Sequence, residues 1–111
     1  MPHDLLQRLQ SGSAQFADVI AYIEAHYHYQ PTAFRNGEKL NTAHENQGSA
    51  KLFAFAQLQQ LDAKDTLSLF SEHYTHVLAT PEAHDHQNIR QFMQHGWAGV
   101  EFDAPVLQLK G

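Results

Sequence analysis

A polar run of eleven residues, Asn41 to Lys51, has no large apolar side chain and stands directly before a strongly apolar stretch, Leu52 to Phe55. This contrast predicts a loop that leads into a helix, with Ser49, preceded by Gly48, as the N-cap. The first backbone N–H groups of a helix lack intrahelical partners, and the helix dipole is positive there. The junction therefore favours a negatively charged ligand.

Apolar residues at helical spacing predict about five helices around this junction. The clearest is the second, whose apolar positions from Phe16 onward recur at i, i+3, i+4, i+7 and i+11. Pro31 disfavours helical geometry in the residue before it and should end this helix near His28. The fourth helix should run unbroken from Asp62 to Thr80. The residues expected to begin the five helices are Pro2 with Asp4, Ser13, Ser49, Asp62 and Asn88.

The dipeptide Asn36-Gly37 predicts a β-hairpin. A two-residue loop would pair Phe34 with Lys39 and put Phe34 and Leu40 on opposite faces. A three-residue loop, with Gly37 in the left-handed region, would put both apolar residues on one face, and we prefer it. A plain turn without strands is the remaining alternative.

The end of the chain predicts a helix terminus followed by strands. Gly96 fits the left-handed position after the fifth helix, which would bring Trp97 against Phe92. Val100 and Phe102 then alternate with acidic residues, as in a strand with one exposed face. This run and a closing apolar run, residues 106–109, could add strands to the hairpin.

Length and composition indicate one globular domain over residues 1–111, since 42% of the residues are hydrophobic and 17% are charged. The net charge of −5 excludes a nucleic-acid backbone as a natural partner. The absence of cysteine excludes disulfides and thiolate metal sites, and no apolar run is long enough to span a membrane. Nine histidines are unusual, because protonating all of them would bring the charge to about +4.

Two blocks resemble a known family. They are Glu45–Lys51 (ENQGSAK) and residues 86–97 (HQNIRQFMQHGW), and further matches such as Tyr29-Gln30-Pro31 precede them in the same order. The chain resembles the HopJ family, named for a type III secreted effector of plant-pathogenic bacteria, from Phe16 to Leu109. The resemblance implies no catalytic residue. The composition suits a cytoplasmic protein. The resemblance also implies export through a type III system.

Two polar blocks, each beside a predicted helix start, are the candidate binding site. If the two helix starts converge, their N–H groups and two added cations would bind a small anionic or polar ligand. In the alternative reading, the polar side chains only cap helices and turns, and the cations are solvated or paired with Glu45. The candidate ligand-binding residues are Asn46, Ser49, Lys51, His86, Asn88 and Arg90.

The histidines suggest a weaker possibility, a metal site. His73 and His76 lie one helical turn apart, and His84 and His86 flank Asp85. No HExxH motif occurs and no single stretch supplies three ligands at familiar spacing, so we assign neither a metal ligand nor a cofactor.

The fold class expected is α+β: a single, mostly helical domain with a hairpin and a short C-terminal strand. Our leading hypothesis for the function is a HopJ-like, non-catalytic domain that binds a small anionic ligand or a partner protein. The alternative is a small hydrolase or metal-dependent enzyme that uses histidines with Asp85 or Glu45. Whether the protein is an enzyme is left open by the sequence.

Overall fold

The computed structural model describes residues 3–110, which form six α-helices, a short 3-10 helix at Gly96–Gly99 and five short strands. This confirms the α+β class. None of the described helices is long and apolar enough to cross a membrane. In chain order the elements are α1 (His3–Gln10), α2 (Phe16–His26), β1 (Tyr27–Tyr29), β2 (Phe34–Asn36), β3 (Lys39–Asn41), α3 (Gln47–Leu58), α4 (Ala63–Ser68), α5 (Glu72–Ala79), α6 (Gln87–His95), β4 (Val100–Phe102) and β5 (Leu107–Leu109).

Helix α3 is the centre of the core, because its residues from Leu52 to Ala56 are all buried. A helix that is apolar on every side must be covered on every side. The Phe53 ring has its centroid 4.9 Å from that of Phe92 and 5.4 Å from that of Phe70. Burying a side chain of this size stabilises the fold by about 1.5–3 kcal/mol. The start of α3 is therefore fixed to a well-packed core.

The predicted hairpin is present, but the preferred register is wrong. Phe34 pairs with Asn41 and is 2% exposed, whereas Leu40 lies on the opposite face and is 72% exposed. The loop consists of Gly37 and Glu38, with Gly37 at φ +60 in the first position, as in a type II′ turn. Asn36, placed in the loop by the sequence argument, is instead a fully buried strand residue.

The two C-terminal runs join different sheets. Strand β4 pairs antiparallel with β2 and completes a sheet of order β3-β2-β4, which confirms the first half of the prediction. Strand β5 pairs with β1 instead of the hairpin. Strand β1 covers Tyr27–Tyr29, where the sequence predicted the last turn of the second helix. Tyr27 is already extended, at φ −133 and ψ 146, so α2 ends at His26.

The predicted N-cap of α2 is wrong because its hydroxyl bonds to the last turn of α1 instead. Ser13 is not the cap of α2, since its hydroxyl donates to the Arg8 carbonyl at 3.3 Å. Gln15 is the N-cap, and its backbone N–H donates to the Asp18 carboxylate at 2.8 Å in a capping box. The predicted start of the first helix at Pro2 lies outside the described residues.

The predicted fourth helix is two helices, α4 and α5. Ser71 interrupts it at φ 52 and ψ −119, and its hydroxyl donates to the carbonyl of Ala14 at 2.9 Å. The predicted cap of this region is confirmed, because the Asp65 N–H donates to the Asp62 carboxylate at 2.8 Å. Leu78, an apolar residue of α5, is 55% exposed.

The expected contact across the Gly96 turn is confirmed, since the Phe92 and Trp97 ring centroids are 5.0 Å apart. Gly96 has a positive φ of 59 as predicted, but its ψ of −154 lies outside the left-handed helical region. The chain therefore leaves α6 into the 3-10 helix, and the Trp97 Nε1 donates to the Leu61 carbonyl at 2.9 Å.

Gly96→Ala should destabilise the protein by about 1–3 kcal/mol, because this combination of φ and ψ is populated almost only by glycine. A Cβ at Gly96 would meet no atom within 4 Å, so the cost is conformational alone. Gly48→Ala is the matched control, since Gly48 is helical and its Cβ would lie 3.4 Å from the Phe16 ring, an ordinary contact. Urea denaturation should show no loss for the control; an unchanged Gly96→Ala variant would contradict the assignment.

Candidate functional site

Both helix starts that the sequence singled out open on one cavity of about 450 Å³. Its polar lining comes from the starts of α3 and α6, with one residue from β3 and one from α5, and its apolar lining is Phe16, Phe70 and Ile89. Its polar side chains include Lys39, Asn46, Ser49, His73, His86 and Asn88. Four of the six predicted site residues therefore lie together: Asn46, Ser49, His86 and Asn88.

The caps of these helices are not the ones predicted. Ser49 and Asn88 lie inside the first turns of α3 and α6, and the N-caps are Asn46 and His86. Both N-caps are left-handed, Asn46 at φ 52 and ψ 37 and His86 at φ 51 and ψ 46. Residue-type preference pointed to Ser49, but asparagine and histidine tolerate the left-handed region better than most residues. Neither cap side chain bonds to its helix.

The first turn of α3 is consequently left with free donors. Within residues 3–110, the backbone N–H groups of Gln47, Gly48 and Ser49 donate to no acceptor. Ala50 is the first residue of the helix whose N–H is bonded, to the Asn46 carbonyl at 3.1 Å. Gly48 and Ser49 line the cavity, so unpaired donors sit at its wall.

A cluster of buried asparagines, Asn36, Asn41 and Asn88, fixes the two helix starts relative to each other; the three are 0%, 3% and 6% exposed. Asn41 and Asn88 exchange side-chain hydrogen bonds at 3.2 and 3.1 Å. The Asn46 Nδ2 donates to the Asn41 Oδ1 at 2.7 Å. The Asn36 Nδ2 donates to the Asn88 carbonyl at 2.7 Å. Asn41, at the end of β3, thus bonds to residues of both helix starts.

Lys51 lies outside the cavity lining. Its Nζ is 4.3 Å from the centroid of the Tyr29 ring and 4.0 Å from the Glu24 carboxylate. Glu45, considered as its partner, instead accepts a hydrogen bond from the Thr42 N–H at 3.2 Å. This bond lowers the pKa of the Glu45 carboxyl. Lys51 is therefore compensated on the far side of α3.

Arg90 also lies outside the lining and organises the loop before α6. Its guanidinium donates to the Thr80 carbonyl at 2.9 Å, to the Asp85 carbonyl at 2.6 Å and to the Asp85 carboxylate at 2.7 Å. The sequence prediction placed this charge in the site because Arg90 stands beside a predicted helix start. The cation that the structure brings to the cavity is Lys39, which the sequence argument did not select.

The charge of the cavity is the reverse of that of the protein. The chain has twelve acidic and seven basic residues, yet the described lining contains Lys39, His73 and His86 and no carboxylate. The His73 and His86 ring centroids are 5.1 Å apart. Burial lowers the pKa of His86, and the nearby Asp85 only partly opposes this. The described lining itself thus offers positive or hydrogen-bonding groups and no carboxylate, while Glu45 lies near enough to Lys39, and Asp85 near enough to His86, to interact with them from outside the lining.

Three possible metal ligands meet at the edge of this site. His76, Asp85 and His86 each offer one donor atom, and these atoms lie within 4.8 Å of one another. The His76 Nε2 is 3.2 Å and the His86 Nε2 is 4.0 Å from the Asp85 Oδ2. Hydrogen bonds from Arg90 and His76 hold the pKa of Asp85 below its ordinary value. We name these residues the three-donor cluster; it does not include His84.

The fold and the cavity define a small α+β domain with a basic pocket between two helix starts. The chain belongs to the HopJ type III effector protein family, whose family model matches residues 2–107 and so confirms the resemblance. It is also similar to a crystal structure of "unknown function protein VPA0580", with 43% identity over 99% of this chain and 95% of that chain and a TM-score of 0.90. No protein with a curated functional description matches the chain. Neither match names a ligand.

The lowered pKa of His86 predicts the direction in which the stability of the folded protein changes with pH. The unfolded chain has the ordinary histidine pKa, about 6.5, and so binds this proton at higher pH than the folded protein does. The contribution of His86 to stability should therefore fall as the pH drops through that value towards the lowered folded pKa. His86→Asn, which keeps a residue suited to left-handed backbone, should lose less stability than the wild type between about pH 7 and pH 5.

Urea denaturation at a series of pH values, in metal-free buffer, measures this difference. The His28→Asn variant is the control, because His28 is an exposed strand residue away from the cavity. A wild-type free energy of unfolding that keeps a constant offset from that of His86→Asn at every pH would show that His86 titrates normally.

Proposed function

We propose that the protein is a non-catalytic binding domain for a small anion with a phosphate or carboxylate group, held in the cavity between the starts of α3 and α6. The observation that carries the proposal is the convergence of two helix starts on one cavity whose described lining has no carboxylate. Helix N-termini are natural anion sites because their N–H groups point outwards and the dipole is positive.

The electrostatic argument favours an anion over a neutral ligand. Each helix start carries roughly half a positive charge. Lys39 adds a full charge at the same cavity, before His73 or His86 takes up a proton. Holding these like charges together costs free energy in the empty protein, because a cavity screens them less well than open water. A bound anion would remove that cost and satisfy the free N–H groups of α3.

Size and polarity favour an anion that carries a short organic group. A cavity of about 450 Å³ falls in the range of small-molecule sites and exceeds the needs of a bare phosphate ion. The apolar residues Phe16, Phe70 and Ile89 offer contact area for a carbon skeleton. A phosphorylated small metabolite fits this combination.

A catalytic role has less support. Ser49 lies in a regular helical turn, which explains its presence without catalysis. The family's name favours export through a type III system, where the domain would act on a ligand or partner protein in another cell.

Thermal unfolding in the presence of phosphate and phosphorylated metabolites, at fixed ionic strength, tests the proposal. A ligand at one hundred times its dissociation constant stabilises a protein by about 2.7 kcal/mol, which raises the melting temperature of a domain of this size by several degrees. Lys39→Gln should weaken this shift. Lys64→Gln is its matched control, since Lys64 is an exposed residue of α4 outside the cavity lining.

Ser49→Asp separates binding from folding. A carboxylate in the first turn of α3 should stabilise the ligand-free protein by about 0.3–1 kcal/mol through the helix dipole. The same carboxylate would occupy the positive end of the cavity and repel an anion. A stable variant without a ligand shift supports the site. A ligand shift in Ser49→Asp as large as in the wild type would place the anion elsewhere.

A further inference from the structure

We propose that the three-donor cluster, His76, Asp85 and His86, binds a divalent transition-metal ion of the Zn²⁺, Ni²⁺ or Co²⁺ class. This site goes beyond the anion proposal and does not depend on it. Neither the spacing in the sequence nor the family match assigns these ligands. They come from two places in the fold: His76 from α5, and Asp85 and His86 from the loop and cap that begin α6.

The donor atoms are close to the arrangement that a metal requires. Zn²⁺ with bonds of about 2.0–2.2 Å holds tetrahedral donors about 3.3–3.6 Å apart. The His76 Nε2 and Asp85 Oδ2 are already 3.2 Å apart, and the His86 Nε2 is 4.0 Å from the same oxygen. All three donor atoms lie within 4.8 Å of one another, so an ion would need to draw the His86 ring in by about half an ångström towards Asp85 and by up to about one ångström towards His76.

A hydrogen bond between His76 and Asp85 explains only part of this geometry. It accounts for the 3.2 Å distance, but it gives no reason for the His86 Nε2 to face the same Asp85 oxygen. Two imidazole nitrogens that converge on one carboxylate oxygen match the donor set of a metal with an open coordination sphere.

Arg90 prepares the carboxylate for this role. The Arg90 guanidinium donates to the Asp85 Oδ1 at 2.7 Å, so that the Oδ2 faces the two histidines. Arg90 is largely buried, with 11% of its side chain exposed, and its bonds to Thr80 and the Asp85 backbone hold the loop in place. An outer group that orients a ligating carboxylate in this way is a regular feature of metal sites.

The ligand types determine the class of ion. Imidazole nitrogens favour Zn²⁺, Ni²⁺, Co²⁺ and Cu²⁺, whereas Mg²⁺ and Ca²⁺ prefer sites made entirely of oxygen. The side chains of His76 and Asp85 are 53% and 49% exposed, so water can fill the remaining coordination positions.

Isothermal titration of untagged, chelator-treated protein with ZnCl₂ in phosphate-free buffer tests the site. The wild type should bind one equivalent of Zn²⁺, and MgCl₂ should give no saturable heat. His76→Gln and Asp85→Asn should each weaken binding at least tenfold. The matched control is His84→Gln, which removes an exposed imidazole beside Asp85 but outside the cluster and should change the affinity less than twofold.

Wild-type protein without saturable Zn²⁺ binding at one equivalent would overturn the proposal. An equal loss of Zn²⁺ affinity in His84→Gln and His76→Gln would also overturn it, because it would indicate a diffuse histidine-rich surface. Asp85→Asn could disturb the loop through Arg90, so its folding is checked by circular dichroism. If Asp85→Asn is unfolded, His76→Gln decides the question, because it changes a residue on an exposed helix face. Lys39→Gln should bind Zn²⁺ as the wild type does, which keeps failure of the anion site distinguishable from failure of the metal site.

Discussion

The hydrogen bonds of the Asn41 side chain are the constraint on which the site depends. Its amide joins the end of β3 to Asn88 in α6 and to Asn46 at the start of α3. Breaking these bonds would leave buried amide groups unpaired, at a cost of about 1–3 kcal/mol for each group. A displacement of α6 would break the bonds from Asn41 and Asn36 together, and a displacement of the α3 start would break the bond from Asn46. The cavity between the helix starts is therefore set when the protein folds, before any ligand arrives.

The same amides explain where sequence reasoning succeeded and failed. Local chemistry was sufficient for the Asp62 cap and for the Phe92–Trp97 contact, since both depend on residues close in the chain. Asn36 and Asn88 also have the residue types of turns and caps, but each bonds to a partner about fifty residues away. A tertiary hydrogen bond of this kind leaves no periodic signal. It moved the hairpin register by placing Asn36 in the strand.

The candidate site could be predicted in outline because the two polar blocks carry unusual local composition beside apolar helices. The basic residues of the site could not be predicted, because tertiary contacts, and not the nearness of a helix start in the sequence, decide where a charged side chain lies. Lys51 contacts an aromatic ring and a carboxylate outside the cavity, and Arg90 binds the loop before α6. Lys39 reaches the cavity from β3. Its approach depends on the hairpin register, which was itself mispredicted.

His86 connects the two proposed functions. It caps α6 in a left-handed conformation and lines the cavity, while its Nε2 lies 4.0 Å from the Asp85 carboxylate. A metal on that nitrogen would add positive charge beside an already basic cavity. The anion site and the metal site would then reinforce each other through the histidine that they share.

Backbone amide chemical shifts during a phosphate titration test the central claim most directly, which is that two helix starts form one anion site. The account predicts that the amides of Gln47, Gly48, Ser49 and Gln87 shift saturably and fit a single dissociation constant, ahead of amides elsewhere. Different constants for the α3 and α6 amides, or shifts that rise linearly over the whole surface, would contradict it.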